Sequence, residues 1–285
     1  MFNDIGLISL ISVTFLAAVV NGGLGYGFSS ITVPVALVFY ANRILNPALV
    51  LVEVALNCYL LFLSRNSLTL VWRRVTPILV GLTVGVITGS QLLSVAHPEW
   101  LKLFTYGIIL PLILCQAAGA RRPVQSEHLF GLPFGAGVGV LYSLTTISGP
   151  PLALLFNNQG YIKQEFRAAL AIIRVAESSL TVFAYYWMGL YSANSTQVLY
   201  SILPSVILGV PLGMFVIRQI PPETFRRICM SFDAWIVGFG LSRVLLGLQL
   251  VTWAAAYSLF AGVIMIDVYL LFLFFGNRQK VIRVT

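Results

Sequence analysis

Asn21-Gly22-Gly23-Leu24-Gly25-Tyr26-Gly27-Phe28-Ser29-Ser30 interrupts an apolar run over residues 5–40. As one α-helix that run would be about 54 Å long at ~1.5 Å per residue, against a hydrocarbon thickness of ~30 Å. The chain must therefore fold back or break inside it, at the glycine cluster. A second run, 129–156, would reach about 42 Å. Ser148-Gly149-Pro150-Pro151 interrupts it, and its two prolines remove donors and stop the helical ladder. Both runs are expected to form broken helical hairpins.

Seven further apolar runs, 44–63, 75–95, 101–119, 168–191, 196–217, 228–247 and 250–276, fill most of the rest of the 285 residues. Each is close to or beyond the ~20 residues that a helix needs to cross a bilayer. With 59% hydrophobic and only 9% charged residues, no soluble surface can be built. The expected fold is all-α, a polytopic integral membrane protein. Residues 1–4 lack the basic flank of a secretory signal, so the first apolar stretch is expected to be retained. Cys58, Cys115 and Cys229 all fall inside apolar runs, where a buried thiol acts as a small hydrophobe.

The two halves echo one another. Val33-Pro34-Val35-Ala36-Leu37-Val38-Phe39 returns as Pro150-Pro151-Leu152-Ala153-Leu154-Leu155-Phe156. Gly85 and Gly89, followed by Pro98-Glu99-Trp100-Leu101-Lys102, return as Gly209 and Gly213, followed by Pro222-Glu223-Thr224-Phe225-Arg226. Two copies of one unit, a broken or re-entrant hairpin plus three transmembrane helices, are the simplest account. The first repeat is 1–120 with its hairpin at 5–40, and the second is 121–248 with its hairpin at 129–156. Residues 249–285 form an extra C-terminal helix and a basic tail.

Equivalent connectors carry opposite basic content. Arg65, Arg73 and Arg74 follow the first full helix of copy one, whereas residues 192–196 of copy two hold no basic residue. The next connector reverses this, with His97 and Lys102 against Arg218, Arg226 and Arg227. Arginine-rich connectors stay cytoplasmic, so the repeats are expected to be inverted. The N-terminus then lies outside and the C-terminus in the cytoplasm, for seven crossings plus two re-entrant hairpins, or more if the hairpins span fully. The inner (cell) membrane is the expected location. The net charge of +8 first reports this orientation and only second a taste for anions.

Four stretches carry a resemblance: the break 21–27 leading to Pro34, Ser148-Gly149-Pro150-Pro151-Leu152, the Leu63-Ser64-Arg65-Asn66 turn, and 209–227. Together they resemble the TauE/SafE family of sulfite exporters, also called TSUP, over nearly the whole chain. The resemblance implies proton-linked or facilitated movement of sulfur-containing anions such as sulfite, sulfonates or related organic acids. Gly25-Tyr26-Gly27-Phe28-Ser29 departs from the denser glycine run expected of the family, which leaves room for a substrate of another shape.

Broken helices at membrane depth mark the candidate site, because unpaired peptide groups are tolerated there only where protein or a water-filled cavity receives them. A half-helix starting after each break would turn its N-terminal N–H groups toward a bound anion. The expected substrate contacts are Gly22, Gly23, Gly25, Tyr26 and Gly27 at the first break and Gly149 and Pro150 at the second. Hydroxyls of Ser29, Ser30, Thr145, Thr146 and Ser148 would serve oxyanion oxygens. The competing reading is that the glycines allow close helix packing and the hydroxyls satisfy neighbouring backbone.

Glu53, Arg174, Glu177 and Asp233 lie within spanning runs, where a central charge costs at least ~2.5 kcal/mol and faces the bundle interior with a partner. Arg174 and Glu177, three apart, can neutralise one another. Alternatively Arg174 supplies positive charge to the anion, and Glu53 or Glu177 carries a coupling proton. Asn57, one turn after Glu53, is expected to match Glu177 in the other repeat and to help bind substrate. Arg243 and Asp267 are expected to be structural and to pair. Trp72, Trp100, Trp187 and Trp253 read as interfacial anchors and Gly81, Gly85 and Gly89 as a packing face.

No metal site or cofactor is expected, since His97 and His128 stand apart from any ligand at suitable spacing. No nucleic-acid partner is expected, and Gly22-Gly23-Leu24-Gly25-Tyr26-Gly27 is not a nucleotide loop, because no strand precedes it and no Lys-Ser/Thr follows it. The expected partners are a small anion, the lipid bilayer and a coupling proton; no pattern sets an oligomeric state. The leading function is a secondary transporter with alternating access between the hairpins, and not an enzyme. An anion channel and a membrane subunit of a larger complex are the alternatives.

Overall fold

The structure is a computed structural model, and it describes residues 4–24, 27–63, 65–118, 127–159, 161, 163–216 and 222–282. Every regular element among them is helical. Helices α1 (Asp4–Leu24), α2 (Phe28–Ala36), α3 (Asn42–Leu63), α4 (Leu68–Val95) and α5 (Pro98–Ala117) form a first set. Helices α6 (Glu127–Thr145), α7 (Gly149–Asn158), α8 (Lys163–Trp187), α9 (Ala193–Val216) and α10 (Pro222–Gly247) form a second, and α11 (Trp253–Ile282) follows. Each set runs in the same order: a long helix, a short one, then three long ones.

Both long apolar runs are broken. α2 and α7, with 9 and 10 residues, are too short to cross ~30 Å of hydrocarbon. Eight helices among the described residues are long and apolar enough to cross a membrane, and α1 is one of them. α1 is thus long enough to cross fully, the alternative that the sequence leaves open for the hairpins, while Phe39, after α2, packs back against Gly6 near the start of α1. The second break falls one turn earlier than the prolines suggest: α6 ends at Thr145, and Pro150 and Pro151 lie in the first turn of α7. They begin that helix rather than end its predecessor, because first-turn N–H groups have no intrahelical partner and proline loses nothing there.

The contacts between the two sets are reciprocal. α1 lies along α9 as α6 lies along α4; α3 packs against α8 and α5 against α10, each against the helix in the same place of the other set; α2 touches α10 as α7 touches α5. Small residues make the closest of these contacts. Methyl groups placed on Gly81, Gly85 and Gly89 of α4 would run into Leu132, Ala136 and Val140 of α6. On the other side Ser205 hydrogen-bonds the Ile11 carbonyl, and methyls on Gly209 and Gly213 would run into Phe15 and Val19. Three matched layers, four residues apart, bring both helix pairs to backbone contact in parallel orientation, the route by which small residues replace hydrophobic drive inside lipid.

α11 packs chiefly on α10 and leaves Met265, Tyr269 and Phe272 exposed, as a lipid-facing surface requires. It is tied to α10 by a buried ion pair, Arg227 Nη2 to Asp267 Oδ1 at 2.9 Å, with Ser231 beside it. This corrects the expected partner of Asp267: Arg243 is exposed and Arg227 takes its place. Asp233 is buried on the same helix. Cys58 and Cys115 are exposed rather than buried, on helices whose outer faces meet lipid. Trp72, Trp100, Trp187 and Trp253 are exposed near helix ends, where interfacial anchors stand.

Candidate functional site

α3 and α8 cross at the centre of the bundle and bring their buried charges together. Arg174 Nη2 of α8 lies 3.1 Å from Glu53 Oε1 of α3. Its Nε lies 4.0 Å from Glu177 Oε1, one turn along its own helix. All three residues are within 3% of complete burial. Arg174 is thus shared by two carboxylates, and its closer partner comes from the other half rather than from three residues away.

Each carboxylate also receives a hydroxyl from the break of its own half. Ser29, in the first turn of α2, donates to Glu53 Oε1 at 2.6 Å. Ser148, at the N-terminal cap of α7, donates to Glu177 Oε1. A chain of contacts therefore runs Ser29, Glu53, Arg174, Glu177, Ser148, linking the two breaks through one guanidinium. Glu53, and not Asn57, thus meets the serine of its break as Glu177 meets Ser148, whereas Asn57 holds the backbone, donating to the Arg174 carbonyl at 3.2 Å and to Ser178 Oγ at 3.3 Å. Tyr142, one turn before the second break, donates to Glu53 Oε2 at 2.6 Å. A tyrosine in an apolar run carries no spacing that would single it out in sequence.

Several buried polar atoms of this cluster make no hydrogen bond: Arg174 Nε and Nη1, Glu177 Oε2, Asn57 Oδ1 and Thr181 Oγ1. Buried groups of this kind cost free energy unless water or a ligand meets them. Two free guanidinium donors are suited to an anion.

The breaks differ from one another. Gly27 precedes α2 with φ 104°, a conformation that glycine adopts without steric cost. The first turn of α2 leaves the N–H groups of Phe28, Ser29 and Ser30 without intrahelical acceptors. α7 offers only that of Gly149, because Pro150 and Pro151 carry none. At the second break Thr146 has φ 57°, and such a backbone costs a β-branched residue roughly 1–3 kcal/mol. The Thr145 and Thr146 hydroxyls donate to the Leu141 and Thr145 carbonyls, so they satisfy backbone and are not free donors for an anion. Gly25 and Tyr26 lie outside the described residues.

Access is unequal as well. Asn21, Gly22 and Gly23 line a cavity of about 320 Å³, walled by Leu56, Leu60 and Met214 with Arg167 among its lining residues. Thr145, Thr146 and Ser148 are buried. There Asn42 and Asn46 donate to the Leu144 carbonyl, Tyr185 donates to that of Ser143, and Leu93, Leu101 and Tyr142 pack over the break.

The sequence pattern of the family described as sulfite exporter TauE/SafE matches residues 10–239. The chain belongs to this family. Among its curated relatives, a probable inner membrane transporter protein TsaS of Comamonas testosteroni is 27% identical over 179 residues, which cover 60% of this chain and 71% of the relative. A probable sulfite/organosulfonate exporter TauE of Cupriavidus necator is also 27% identical, over 61% of this chain and 68% of the relative. No solved structure matches the chain. In this TauE/SafE member the glycine and proline breaks, through Ser29 and Ser148, frame the paired carboxylates and their arginine.

Proposed function

We propose that the chain is an inner-membrane secondary transporter of a small sulfur-containing or organic anion, with the anion held at Arg174 between the two breaks. The carrying observation is the contact chain from Ser29 through Glu53, Arg174 and Glu177 to Ser148. A structural ion pair needs one carboxylate; here two share one guanidinium, and two of its nitrogens stay unbonded. The names of the relatives, a sulfite/organosulfonate exporter among them, agree with this substrate class.

Charge balance supplies a coupling rule. With Glu53 and Glu177 both ionised, the cluster already carries one negative charge in excess, and an arriving anion would double it. A proton on one carboxylate offsets that charge. It also frees a donor: Ser29 or Ser148 now gives its single O–H to a carboxylate, but a protonated carboxyl donates to the serine oxygen and lets the serine hydroxyl turn to the anion. Anion and proton then enter the site together.

The reciprocal contacts support a two-fold relation between residues 1–120 and 121–248, and opposite arginine content in equivalent connectors supports its inversion. On that reading the cavity faces the cytoplasm. Alternating access exchanges the open first break for an open second break.

Purified protein in liposomes tests this reading. Flux of sulfite or a simple sulfonate should saturate with concentration and change lumenal pH. Non-saturating flux that ignores an opposing proton gradient would make the protein a channel instead.

A further inference from the structure

The closed end of the bundle is held by an arginine with a counterpart at the open end. Arg43, in the first turn of α3, donates from Nε to the Leu93 carbonyl at 2.8 Å and from Nη2 to the Ala96 carbonyl at 2.9 Å. These carbonyls end α4, where the last turn of a helix lacks intrahelical donors and a guanidinium is a natural cap. Three residues along, Asn46 donates to the Leu144 carbonyl at 2.6 Å and seals the second break. The N-terminus of α3 therefore ties α4 and α6 together on the side away from the cavity.

Arg43 stands ten residues before Glu53, and Arg167 stands ten residues before Glu177. The two glutamates are counterparts by their serine contacts, and α9 is the counterpart of α4 by its layers on α1. Yet the two arginines are placed differently: Arg43 is half-buried against the end of α4, while Arg167 is exposed and lines the cavity with Met214 of α9.

We propose that Arg43 and Arg167 are alternating gate residues. In this structure Arg43 latches the outer end while Arg167 stands in the open inner vestibule; in the opposite state Arg167 caps the last-turn carbonyls of α9 and Arg43 lets go of α4. Each state keeps one cap and gives up the other, which keeps the two close in energy, as a reversible carrier requires. Arg167 would also meet the anion in the vestibule before the gate closes. The inference rests on the transporter reading above.

The test is the accessibility of the vestibule. A Leu60→Cys reporter, in a chain whose native cysteines are replaced by serine, is labelled by a membrane-impermeant maleimide in inside-out and right-side-out vesicles. Arg43→Gln should shift the protein outward and slow labelling from the cytoplasmic side roughly tenfold, about the weight of one charge-assisted hydrogen bond. Arg167→Gln should act in the opposite sense, with labelling as fast as in the parent or faster, and Arg43→Lys should recover part of the parent rate. Should Arg43→Gln fold poorly, Asn46→Ala loosens the same closure and should slow labelling in the same way. Unchanged or faster labelling in both closure variants, or slowing by Arg167→Gln, would overturn the proposal. Labelling needs no substrate, so a protein that carries no anion while the gate responds would count against the transport reading alone.

Discussion

Arg174 binds Glu53 across the interface between the two halves more closely than it binds Glu177 on its own helix, at 3.1 Å against 4.0 Å. The guanidinium is thus a joint between α3 and α8 as well as the cation that both serine-bound carboxylates share. Removing it strikes both roles, and the two can be told apart.

Arg174→Ala should abolish transport and lower stability by about 3–5 kcal/mol, because it strands Glu53 and Glu177 without a cationic partner. Combining it with Glu53→Gln and Glu177→Gln should recover most of the thermal stability and none of the flux. Normal kinetics in the single variant would remove Arg174 from the site.

Glu177→Gln retains a group that can accept the Ser148 hydroxyl but carries no proton to release. Anion exchange at equal pH on both sides should persist, while an imposed pH gradient should no longer drive net flux. Measurement of both modes in the same liposomes decides, and an intact response to the gradient would exclude Glu177 as the coupling group.

Gly85→Ala and Gly213→Ala should each cost about 1–3 kcal/mol or more, since the added methyl meets a backbone carbonyl that cannot yield. Gly107→Ala, with nothing within 4 Å of the new methyl, should stay within about 0.5 kcal/mol of the parent. Thermal unfolding in detergent would show whether the two helix pairs are equally sensitive, as their matched layers require.

Asp267→Ala should destabilise the protein by about 3–5 kcal/mol through the orphaned Arg227, whereas Arg243→Ala should have little effect. Flux per correctly folded molecule should be retained in both. Loss of flux without loss of stability would give α11 a part in the transport cycle.

The breaks, the charged residues and the small-residue stripe were legible because each violates what an apolar spanning helix should contain. Pairing across the molecule was harder to see. Ser29 and Glu53 are 24 residues apart, but Ser148 and Glu177 are 29 apart, so the link after the short helix differs in length between the halves. Counting from the prolines then slips by about one turn, and Asn57 was matched where Glu53 belongs. The partner of Asp267 was missed because Arg227 reads as part of a basic connector, yet its position after the first turn of α10 carries it inward to α11. Tyr142 and Arg43 act through contacts distant in sequence that no local pattern encodes.

The parallel embrace of α1 by α9, and of α6 by α4, bears on how the chain is made. At ~5–20 residues per second, α9 leaves the ribosome roughly 10–40 s after α1. Through that interval the face of the first helix around Ile11, Phe15 and Val19 must rest against lipid or an insertion chaperone. Neither half, released alone, would own the surface that completes its leading helix, so a truncated product should be cleared by quality control rather than persist as a half-sized carrier.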